Sequence, residues 1–550
     1  MNYDPKAKPT DAKPSVSWKF LCVNTAYLDL MLAQTREICA TYPVDGFFYD
    51  ICFHERCFCA TCSEQMTAAG VDLASDEATA RWYTGRWLRF FVAARAAIAE
   101  THPEATVFFN GAANNDSPRE LLEQQTHYEL EDLPTTWGGY DKFPPRAKFM
   151  LRDGKAILAM SGKFHTQWGE FGGFKHPDAI RFEAASMIAN GVTCSFGDQL
   201  HPHGEMDLGT YANIGAAYAY VEKIENYGPG GLPSASLGLW MTGLDRNSGP
   251  HRVGNDQGIA NMLLEAQLDF EVVDAGCDLT RFQTIILTGT QCLDAEAAAK
   301  LDAYVLGGGS LLVIGESALD AAKQRLVLDV GAEYLGPARH DIDYLVAGKK
   351  LRDGIVPSPF LNYTAAMRVK PIAGAKVLAT IKEPYFNRTY AHYCSHMNTC
   401  NRPEDAEHVG AIQHGRVILL PHLMGLMYFR DGARIHRDFT LNALRRLHTA
   451  PMVETTMPSC GRINLIHQPD QRRFVLHLLY GAPIQRGRAL VIEDLPALRD
   501  IPVTVRLPVT VKRATLPLSK TKLKLKKAGK GALSLTVPEV ACHEMVVFDY

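Results

Sequence analysis

Short apolar runs and longer amphipathic segments alternate along the first 230 residues. The runs predict strands, and the segments in which apolar residues recur every three or four positions predict helices. Strands are expected at 18–23, 46–50, 106–111, 126–131, 156–164 and 193–198. Helices are expected at 27–42, 76–102, 178–190 and 210–227. Repeated β-α units of this kind predict an α/β fold with a parallel sheet covered by helices, either a closed barrel or an open, doubly wound sheet.

Polar and aromatic residues gather at the ends of the predicted strands. In a barrel of parallel strands these ends surround one mouth, where catalytic groups are found. The residues are Asn24, Asp50, Asn110, Glu129, Glu131, His165, Trp168, Glu170, Asp198, Gln199, His201 and His203. Because they are spread over many strands, the pattern favours a (β/α)8 TIM-type barrel over an open sheet. Six strands are predicted, whereas a closed barrel of this type has eight.

A glycine and proline cluster, YGPGGLPSAS at 227–236, interrupts the pattern. After it, LGLWMTG, FEVVDAG, TIILTG and SLLVIGES predict short strands, and 254–268 and 295–306 predict helices. This second unit is expected to be an open α/β sheet of the flavodoxin-like kind. From Val453 onward, INLIHQ, RRFVLHLLYG, VTVRLP and HEMVVFDY predict a small antiparallel β-sandwich, with a basic, solvated hairpin at 520–530. The predicted domains are therefore 1–230, 235–450 and 453–550.

The composition limits the classes of function. The chain has 550 residues, which corresponds to about three or four domains. A net charge of -3, from 57 basic and 60 acidic residues, argues against nucleic acid or a membrane surface as the main partner. Thirteen cysteines without a regular framework suit a reducing compartment. The N-terminus has no apolar core of a signal peptide and no segment is apolar for about eighteen residues, so a cytoplasmic location is expected.

Two motifs of other α/β enzymes are missing. Cys292, in GTQCLD, lacks the flanking glycines of a nucleophile elbow, which disfavours an amidotransferase against a structural role. No G-x-G-x-x-G motif opens a helix, and the glycines at 307–309 precede a strand and indicate a turn. No organic cofactor is therefore expected.

Asp50 ends the apolar and aromatic run VDGFFYD. If this run is a barrel strand, its carboxyl end places Asp50 where catalytic groups lie. The alternative is a structural role, since Asp is common in turns at strand ends and as the N-cap of a helix.

A group of cysteines follows Asp50 with the spacing C-x-C-x-x-C, at Cys57, Cys59 and Cys62. Thiolates so close in one loop converge readily on one tetrahedral zinc ion, which favours a metal site over a disulfide set. A fourth ligand is needed. Cys22, which ends another apolar stretch, is the first candidate, and Cys52 and His54 are local alternatives. Buried free thiols are the alternative to a zinc site.

The order of a barrel, a flavodoxin-like domain and a β-sandwich resembles the family 42 β-galactosidases, whose middle domain mediates trimer formation. In that family a cysteine before a helix joins a C-x-C-x-x-C motif in binding zinc, which matches Cys22, Cys57, Cys59 and Cys62. The resemblance thus implies one structural zinc per chain and a homo-oligomer, with a trimer favoured and a dimer second. The strand ending in Asp50 differs, because family 42 has Asn-Glu at that position.

Other stretches resemble the α-L-fucosidases of families 29 and 151. The strand pattern D-G-hydrophobic-hydrophobic-x-D looks like their nucleophile strand, and THYELEDLPTTWGGYDKF, SGKFHTQWGEFGGFKHP and SFGDQLHPHGEMD look like the barrel domain of family 151 and its relatives. In such proteins about two β-α units precede the strand ending in LCVN, so the barrel is expected to lack its first strands. The resemblance implies a retaining exo-glycosidase acting on a terminal sugar of a glycoside or oligosaccharide, with α-L-fucosidase favoured.

Retaining hydrolysis uses two carboxyl groups, one as nucleophile and one as acid/base. Asp50 is the expected nucleophile. Glu131 is the first choice for the acid/base, because Glu129 and Glu131 point the same way on one strand and Glu131 is nearer its end. Glu170 is the runner-up, because its aromatic neighbours are expected to desolvate it and raise its pKa. The residues expected to hold the sugar are His127, Trp137, His165, Trp168, Asp198, Gln199 and His201; for the two tryptophans, core packing is the alternative.

Two other functions remain open. A β-galactosidase-like hydrolase would be favoured by a pair of glutamates at strands four and seven, and the first of these is missing. The other is a carbohydrate-binding or assembly subunit without activity, built on an incomplete barrel, because an opened barrel exposes strand edges and loses residues of its mouth.

Overall fold

The structure, a computed structural model, describes residues 20–53, 56–113, 117–241, 250–529 and 531–550. The described residues divide into two compact units. The first unit comprises 20–130 and 153–158, and the second comprises 131–152, 159–241 and 250–550. The predicted domain boundaries remain predictions.

Some of the described helices begin at a residue whose side chain caps the first turn. Ser75 accepts a hydrogen bond from the backbone N–H of Ala78, Asp207 accepts from Gly209 and Thr210, and Asp294 accepts from Ala297. The α-helices are α1 (Tyr27–Thr41), α2 (Ala60–Ala68), α3 (Asp76–Ala99), α4 (Arg119–Leu122), α5 (Phe143–Leu151), α6 (Pro177–Ala189), α7 (Leu208–Ile224), α8 (Pro250–Glu265), α9 (Ala295–Leu306), α10 (Met424–Asp431) and α11 (Arg434–Leu447).

The strands of the first 240 residues are short. They are β1 (Gly46–Tyr49), β2 (Thr106–Phe109), β3 (Tyr128–Glu131), β4 (Ile157–Gly162), β5 (Thr193–Gly197), β6 (Leu232–Pro233) and β7 (Leu237–Trp240). Five of the six strands predicted before residue 230 are confirmed. The sixth is wrong over 20–23, which form no strand, and its residues 18 and 19 lie outside the described residues.

The remaining strands follow in the second unit. They are β8 (Glu271–Val273), β9 (Thr284–Leu287), β10 (Ser310–Ile314), β11 (Ala332–Gly336), β12 (Asp343–Ala347), β13 (Phe360–Asn362), β14 (Arg368–Pro371), β15 (Lys376–Lys382), β16 (Val409–His414), β17 (Val417–Leu420), β18 (Val453–Thr455), β19 (Gly461–Gln468), β20 (Arg473–Tyr480), β21 (Ile484–Arg486), β22 (Ala489–Val491), β23 (Leu498–Val505), β24 (Arg513–Leu516), β25 (Thr521–Leu523), β26 (Lys526–Lys527), β27 (Leu533–Val540) and β28 (His543–Asp549).

In the first unit, β1 and β2 form a parallel pair packed on α3. Their register places Tyr49 beside Phe109, and the two rings stack with centroids 5.1 Å apart. Phe91 of α3 stacks on Phe109 from the helix side at 3.8 Å. Aromatic side chains of this size bury large apolar areas. This aromatic core therefore fixes the positions of the two strands.

A side chain links β2 to the chain before β3. Gln125 is buried, its Oε1 accepts from the backbone N–H of Phe109 at 2.8 Å, and its Nε2 donates to the carbonyl of Phe109 at 3.3 Å. The amide of Gln125 thus bonds both backbone groups of Phe109, as a peptide of a neighbouring strand would. Close by, the backbone N–H of Thr126 donates to the carbonyl of Val107 at 3.0 Å.

The described residues form no closed barrel, so the predicted TIM-type barrel without its first strands stays a prediction. There β1 and β2 form one sheet, and β3, β4 and β5 form another in that order. The link through Gln125 replaces a regular ladder, so the strands of this region are not joined into one continuous cylinder. Closure of a barrel needs continuous pairing around the ring.

A nine-stranded sheet occupies the middle of the second unit, in the order β13-β12-β15-β16-β17-β10-β9-β7-β8. Strands β7 to β10 and β17 are parallel where they pair, and β12, β13, β15 and β16 pair antiparallel. The four strands and two helices predicted from LGLWMTG to SLLVIGES are confirmed as β7 to β10, α8 and α9.

The last hundred residues form two larger antiparallel sheets that share one hydrophobic cluster, with Leu465 and Phe548 from one sheet and Val503 and Val537 from the other. The hairpin predicted at 520–530 is wrong within the described part of that segment. There β25 pairs with β24 in the six-stranded sheet, whereas β26 pairs with β27 in the four-stranded sheet. Both strands are rich in lysine and exposed. A prediction from this local pattern alone therefore paired them with each other.

Candidate active site and cysteine cluster

Asp50 directly follows β1, as the sequence predicts, and its side chain is exposed. Asn110 directly follows β2, so the parallel register of the two strands brings these residues side by side. Asn110 Nδ2 donates to Asp50 Oδ1 at 2.7 Å, and the backbone N–H of Ile51 donates to the same oxygen at 2.9 Å. The carboxylate therefore stands at the carboxyl edge of the sheet with one oxygen held by two donors.

A cavity of about 390 Å³ lies on the β1 side of the first unit. Asp50 and Ile51 line it together with aromatic side chains that include Phe20, Phe48 and Trp87. A polar group at the edge of an apolar, aromatic cavity is the usual arrangement of a small-molecule site.

Glu129 and Glu131 are both half-buried on β3, as expected from the two-residue period of a strand. Glu129 lies in the first unit, where its Oε1 is 3.2 Å from Nε2 of His127. Glu131 begins the second unit, where its backbone carbonyl accepts a hydrogen bond from Arg146 at 3.1 Å. The two carboxyl groups therefore have different surroundings although they share one strand.

Glu170 does not have the raised pKa that its aromatic neighbours predicted. Hydrogen bonds from the backbone N–H and the hydroxyl of Thr166, each at 2.8 Å, hold the pKa of Glu170 below its usual value. The backbone near His165 contributes in the same direction. These donors stabilise the charged carboxylate, which is the opposite of what a general acid needs.

Trp137 and Trp168 lie together in the second unit, with ring centroids 6.2 Å apart and an angle of 29° between the planes. Glycines end β4 and β5 beneath Trp168. A Cβ atom on Gly197 would lie 2.6 Å from the indole, and one on Gly162 would lie 3.2 Å from it. The absence of side chains at these two positions allows the indole to lie close to the strand ends.

Polar side chains of the second unit surround the end of β5. Asp198 Oδ1 is 3.9 Å from Lys163 Nζ, and the Nε2 of Gln199 lies close to Gly169. The ring of His201 packs beside Phe171 at 4.9 Å. Asp198 and Gln199 line a cavity of about 690 Å³ that also includes Tyr211 and Tyr218 of α7.

Lys163 was missed by the sequence analysis. It is buried at the end of β4, and its ammonium group lies 4.4 Å from the centroid of Phe174 and 3.9 Å from Asp198. A buried lysine needs such partners, since desolvation penalises the charged amine. The sequence feature that could have identified Lys163 is its position immediately after the apolar run ILAMSG.

The four predicted zinc ligands lie together in the first unit. The Sγ atoms of Cys22, Cys57, Cys59 and Cys62 lie within 4.8 Å of one another and could hold a metal ion. Cys59 is the N-cap of α2 and Cys62 lies in its first turn, where helix N–H groups and the helix dipole favour negative sulfur. Four thiolates around one ion at Zn–S distances of about 2.3 Å require this degree of convergence.

Asn24 donates hydrogen bonds to two sulfur atoms of this cluster. The backbone N–H of Asn24 donates to Cys22 Sγ at 3.4 Å, and Asn24 Nδ2 donates to Cys62 Sγ at 3.6 Å. The hydrogen bonds among the thiols lower the pKa of Cys57 and raise the pKa of Cys22 and Cys62, so without a metal ion the negative charge is concentrated on Cys57. Cys52, one of the alternative ligands, is a buried thiol outside this group, and burial raises its pKa. His54, the other alternative, lies outside the described residues.

Within the described residues, no helix has both the length and the apolar character needed to cross a membrane. No protein-family model matches the chain, and no curated protein sequence matches it. Solved structures do match. The β-galactosidases of Bacillus circulans sp. alkalophilus and Rahnella sp. R3 cover 96% of this chain and 83% and 82% of their own, with TM-scores of 0.66 and 0.64. At 10% and 12% identity they show a shared fold alone.

The α-L-fucosidase isoenzyme 2 of Paenibacillus thiaminolyticus is far more similar, with a TM-score of 0.90 and 34% sequence identity. The match covers 98% of this chain and 82% of that enzyme. The similarity thus extends to the amino-acid sequence as well as the fold. The chain therefore belongs to the family of this α-L-fucosidase.

Proposed function

We propose that the protein is a retaining exo-glycosidase that hydrolyses terminal α-L-fucosyl residues. The observation that carries this proposal is the likeness to the fucosidase of Paenibacillus thiaminolyticus over nearly the whole chain. The β-galactosidase neighbours support the fold only, so galactosidase activity has no comparable support.

Asp50 is the proposed nucleophile. Its free carboxylate oxygen attacks the anomeric carbon, a C–O ester bond forms, and the glycosidic C–O bond breaks as the acid gives its proton to the departing oxygen. In the second half, water attacks the same carbon and gives a proton to the acid/base residue. The ester bond then breaks, and Asp50 is released as a carboxylate. The position of Asp50 at the exposed carboxyl edge of β1 supports this role.

Glu131 is the proposed acid/base, with Glu170 as the second choice. The lowered pKa of Glu170 supports this order, because a general acid must keep its proton near neutral pH. Glu129 contacts His127 and is proposed to hold that histidine in position.

The sugar is proposed to stack on the tryptophans and to bind polar groups around them. The position of Trp168 at the ends of β4 and β5, stacked beside Trp137, supports this role, since sugar rings pack their apolar faces on indoles. The polar partners proposed are His127, His165, Asp198, Gln199 and His201.

The metal of the cysteine cluster is proposed to be one structural zinc per chain, since four cysteine ligands form a closed tetrahedral site that leaves no position for substrate. When bound, zinc would tie the loop after Asp50 to the start of α1. The strands β1 to β5 are proposed to be units of a TIM-type barrel, followed by a flavodoxin-like domain and a β-sandwich. A homotrimer and a cytoplasmic location are proposed as well, the latter because all thirteen cysteines are free thiols.

Hydrolysis of aryl α-L-fucosides by the purified protein tests the function. We expect release of the aglycone, with the α-anomer of fucose as the first sugar product in a proton NMR time course. An aryl β-D-galactoside is the matched control and is expected to be a poor substrate. Hydrolysis of the galactoside alone, or first release of the β-anomer, would overturn the assignment.

A further inference from the structure

The backbone of Asn110 forms hydrogen bonds with the backbone on both sides of Asp50. The backbone N–H of Asn110 donates to the carbonyl of Tyr49 at 2.8 Å, and the carbonyl of Asn110 accepts from the N–H of Cys52 at 2.6 Å. The residues before and after the Asp50–Ile51 pair are therefore both tied to one residue. Any movement of Asn110 would move Asp50 as well.

The side chain of Asn110 acts on one oxygen of Asp50. Both donors near the carboxylate, Asn110 Nδ2 at 2.7 Å and the N–H of Ile51 at 2.9 Å, reach Oδ1. The described residues supply no hydrogen bond to Oδ2. The two oxygens of this carboxylate are thus not equivalent, and the one that faces away from Asn110 keeps its lone pairs for another partner.

The backbone at Ile51 is strained in a way that serves this arrangement. Ile51 has φ of 58°, in the left-handed region that β-branched residues rarely adopt. Such conformations cost of order 1–3 kcal/mol and persist only where the surrounding structure imposes them. Here the turn directs the N–H of Ile51 back to Asp50 Oδ1. Strain of this kind clusters at functional sites.

We infer that Asn110 is a positioning residue that holds Oδ1 of Asp50 and so selects Oδ2 as the attacking oxygen. This inference rests on the proposed role of Asp50 as nucleophile. The amide of Asn110 is neutral at every working pH, so it stabilises the carboxylate without adding a charge to the site. The same hydrogen bond assists the second half of the reaction, when Asp50 leaves the sugar carbon and regains its negative charge.

Asn110→Ala tests the inference in the full-length protein. Because this hydrogen bond is made to a charged group, its loss should lower kcat by roughly 10- to 100-fold. The acidic limb of the kcat/KM profile should move to higher pH, because a carboxylate with fewer donors takes up a proton more readily. KM for an activated aryl fucoside should fall or stay level, since slower release of the sugar from Asp50 lets the covalent intermediate accumulate.

Asn110→Asp adds a second readout. A carboxylate in place of the amide would lie beside Oδ1, and two such groups cannot both stay ionised at low cost. We expect the acidic limb to move further than in Asn110→Ala. Thr106→Ala is the matched control, because Thr106 is exposed at the opposite end of the same strand. It should leave kcat and the pH profile unchanged.

A crystal structure of the intermediate trapped with a 2-deoxy-2-fluoro fucosyl fluoride gives a readout that does not depend on rates. The sugar carbon should be bonded to the Asp50 oxygen that faces away from Asn110, while the other oxygen keeps both donors. A sugar bonded to the oxygen facing Asn110 would overturn the inference. So would an Asn110→Ala variant with wild-type kcat and pH profile.

Failure of the proposed function would give different experimental results from failure of this inference. If Asp50→Asn keeps full activity, or the trapped sugar lies on another residue, the nucleophile is misassigned whatever Asn110 does. If wild type hydrolyses no aryl glycoside, both proposals are overturned. Activity that requires Asp50 but ignores Asn110 overturns this inference alone.

Discussion

At the scale of single residues, Asp50 and Glu131 are proposed to have different catalytic roles, and substitution separates the two. Asp50→Asn should lower turnover by several orders of magnitude on every fucoside, because a neutral amide cannot form the covalent intermediate. The shape of the side chain is kept, so the melting temperature should change little. Turnover within tenfold of wild type would contradict the assignment.

Glu131→Ala should be slow mainly on substrates with poor leaving groups, because only these need a proton from the acid. Added azide should restore part of its rate on activated fucosides, since a small anion can enter the space and attack the intermediate without a general base. Glu170→Ala is the matched control, and azide should leave its rate unchanged. Rescue of Glu170→Ala in place of Glu131→Ala would exchange the two roles and leave the mechanism intact.

Some residues of the candidate site were predictable from the sequence because their signals are local. Asp50 ends an apolar run, and the cysteines carry a metal-ligand spacing. The hydrogen bonds from Thr166 to Glu170 were not predictable, because they depend on how one loop folds back over four residues. The partnership of Asn110 with Asp50 depends on the register of two strands sixty residues apart.

At the scale of elements, the cysteine cluster joins the segment before α1 to the start of α2. Elemental analysis should find about one zinc per chain, and a strong chelator should lower the melting temperature, because the metal-binding energy contributes to folding. Cys57→Ser should lose the zinc, whereas Cys400→Ser, which replaces an exposed cysteine outside the cluster, should retain it. Well under one zinc per chain in protein prepared without chelators would contradict the site.

A buried contact between Asp343 and His422 anchors β12 in the nine-stranded sheet. His422 Nε2 lies 2.8 Å from Asp343 Oδ1, and both side chains are almost fully buried. Burial acts to raise the pKa of Asp343, but the pairing with His422 and the hydrogen bonds from Ala366 and Asn362 lower it overall. A depressed carboxyl pKa adds stability above the unfolded value of about 3.9, and this stability is lost as the pH falls through the folded pKa.

Asp343→Asn should therefore reduce the free energy of unfolding by about 3–5 kcal/mol at pH 7, as for a buried pair that loses one partner. The difference from wild type should shrink as the pH is lowered below about 4. Urea unfolding at several pH values measures both effects. Glu539→Gln, in the exposed pair with Arg499, is the control and should change stability by about 1 kcal/mol or less. A similar small change for Asp343→Asn would contradict the prediction.

Elements with strong periodicity were predicted well from the sequence. The predicted helices at 27–42 and 295–306 correspond to α1 and α9 almost residue for residue, because apolar spacing is a local property and α9 also has Asp294 as a cap. The lysine-rich segment at 520–530 was predicted wrongly for the opposite reason. Its strands pair with partners outside the segment, and an alternating pattern does not say which strand lies beside it.

At the scale of the whole molecule, we expect residues 235–450 to mediate a symmetric homotrimer, with a dimer as the second possibility. Three copies would close a ring through one heterologous interface repeated about the axis. Light scattering coupled to size exclusion at micromolar concentration should give about three times the chain mass of 60.8 kDa. A mass equal to one chain would contradict this prediction.

The order of strands and helices was predictable along the chain, but the joining of the strands was not. A barrel is a statement about pairing between distant segments, and the sequence shows only that each strand is buried. Whether β2 meets its neighbour through a backbone ladder or through Gln125 depends on a few side-chain contacts that no periodicity encodes.

Gln125 gives this region a property that a backbone ladder would lack. A peptide group cannot be exchanged by mutation, whereas a side chain can be lengthened, shortened or removed by a single codon. The contact between β2 and the chain before β3 thus depends in part on the two methylenes of Gln125, alongside the hydrogen bond from Thr126 to Val107. Asn in place of Gln125 would be one methylene too short to reach Phe109. This part of the contact can therefore be changed by a single point substitution, which a contact between two backbones does not allow.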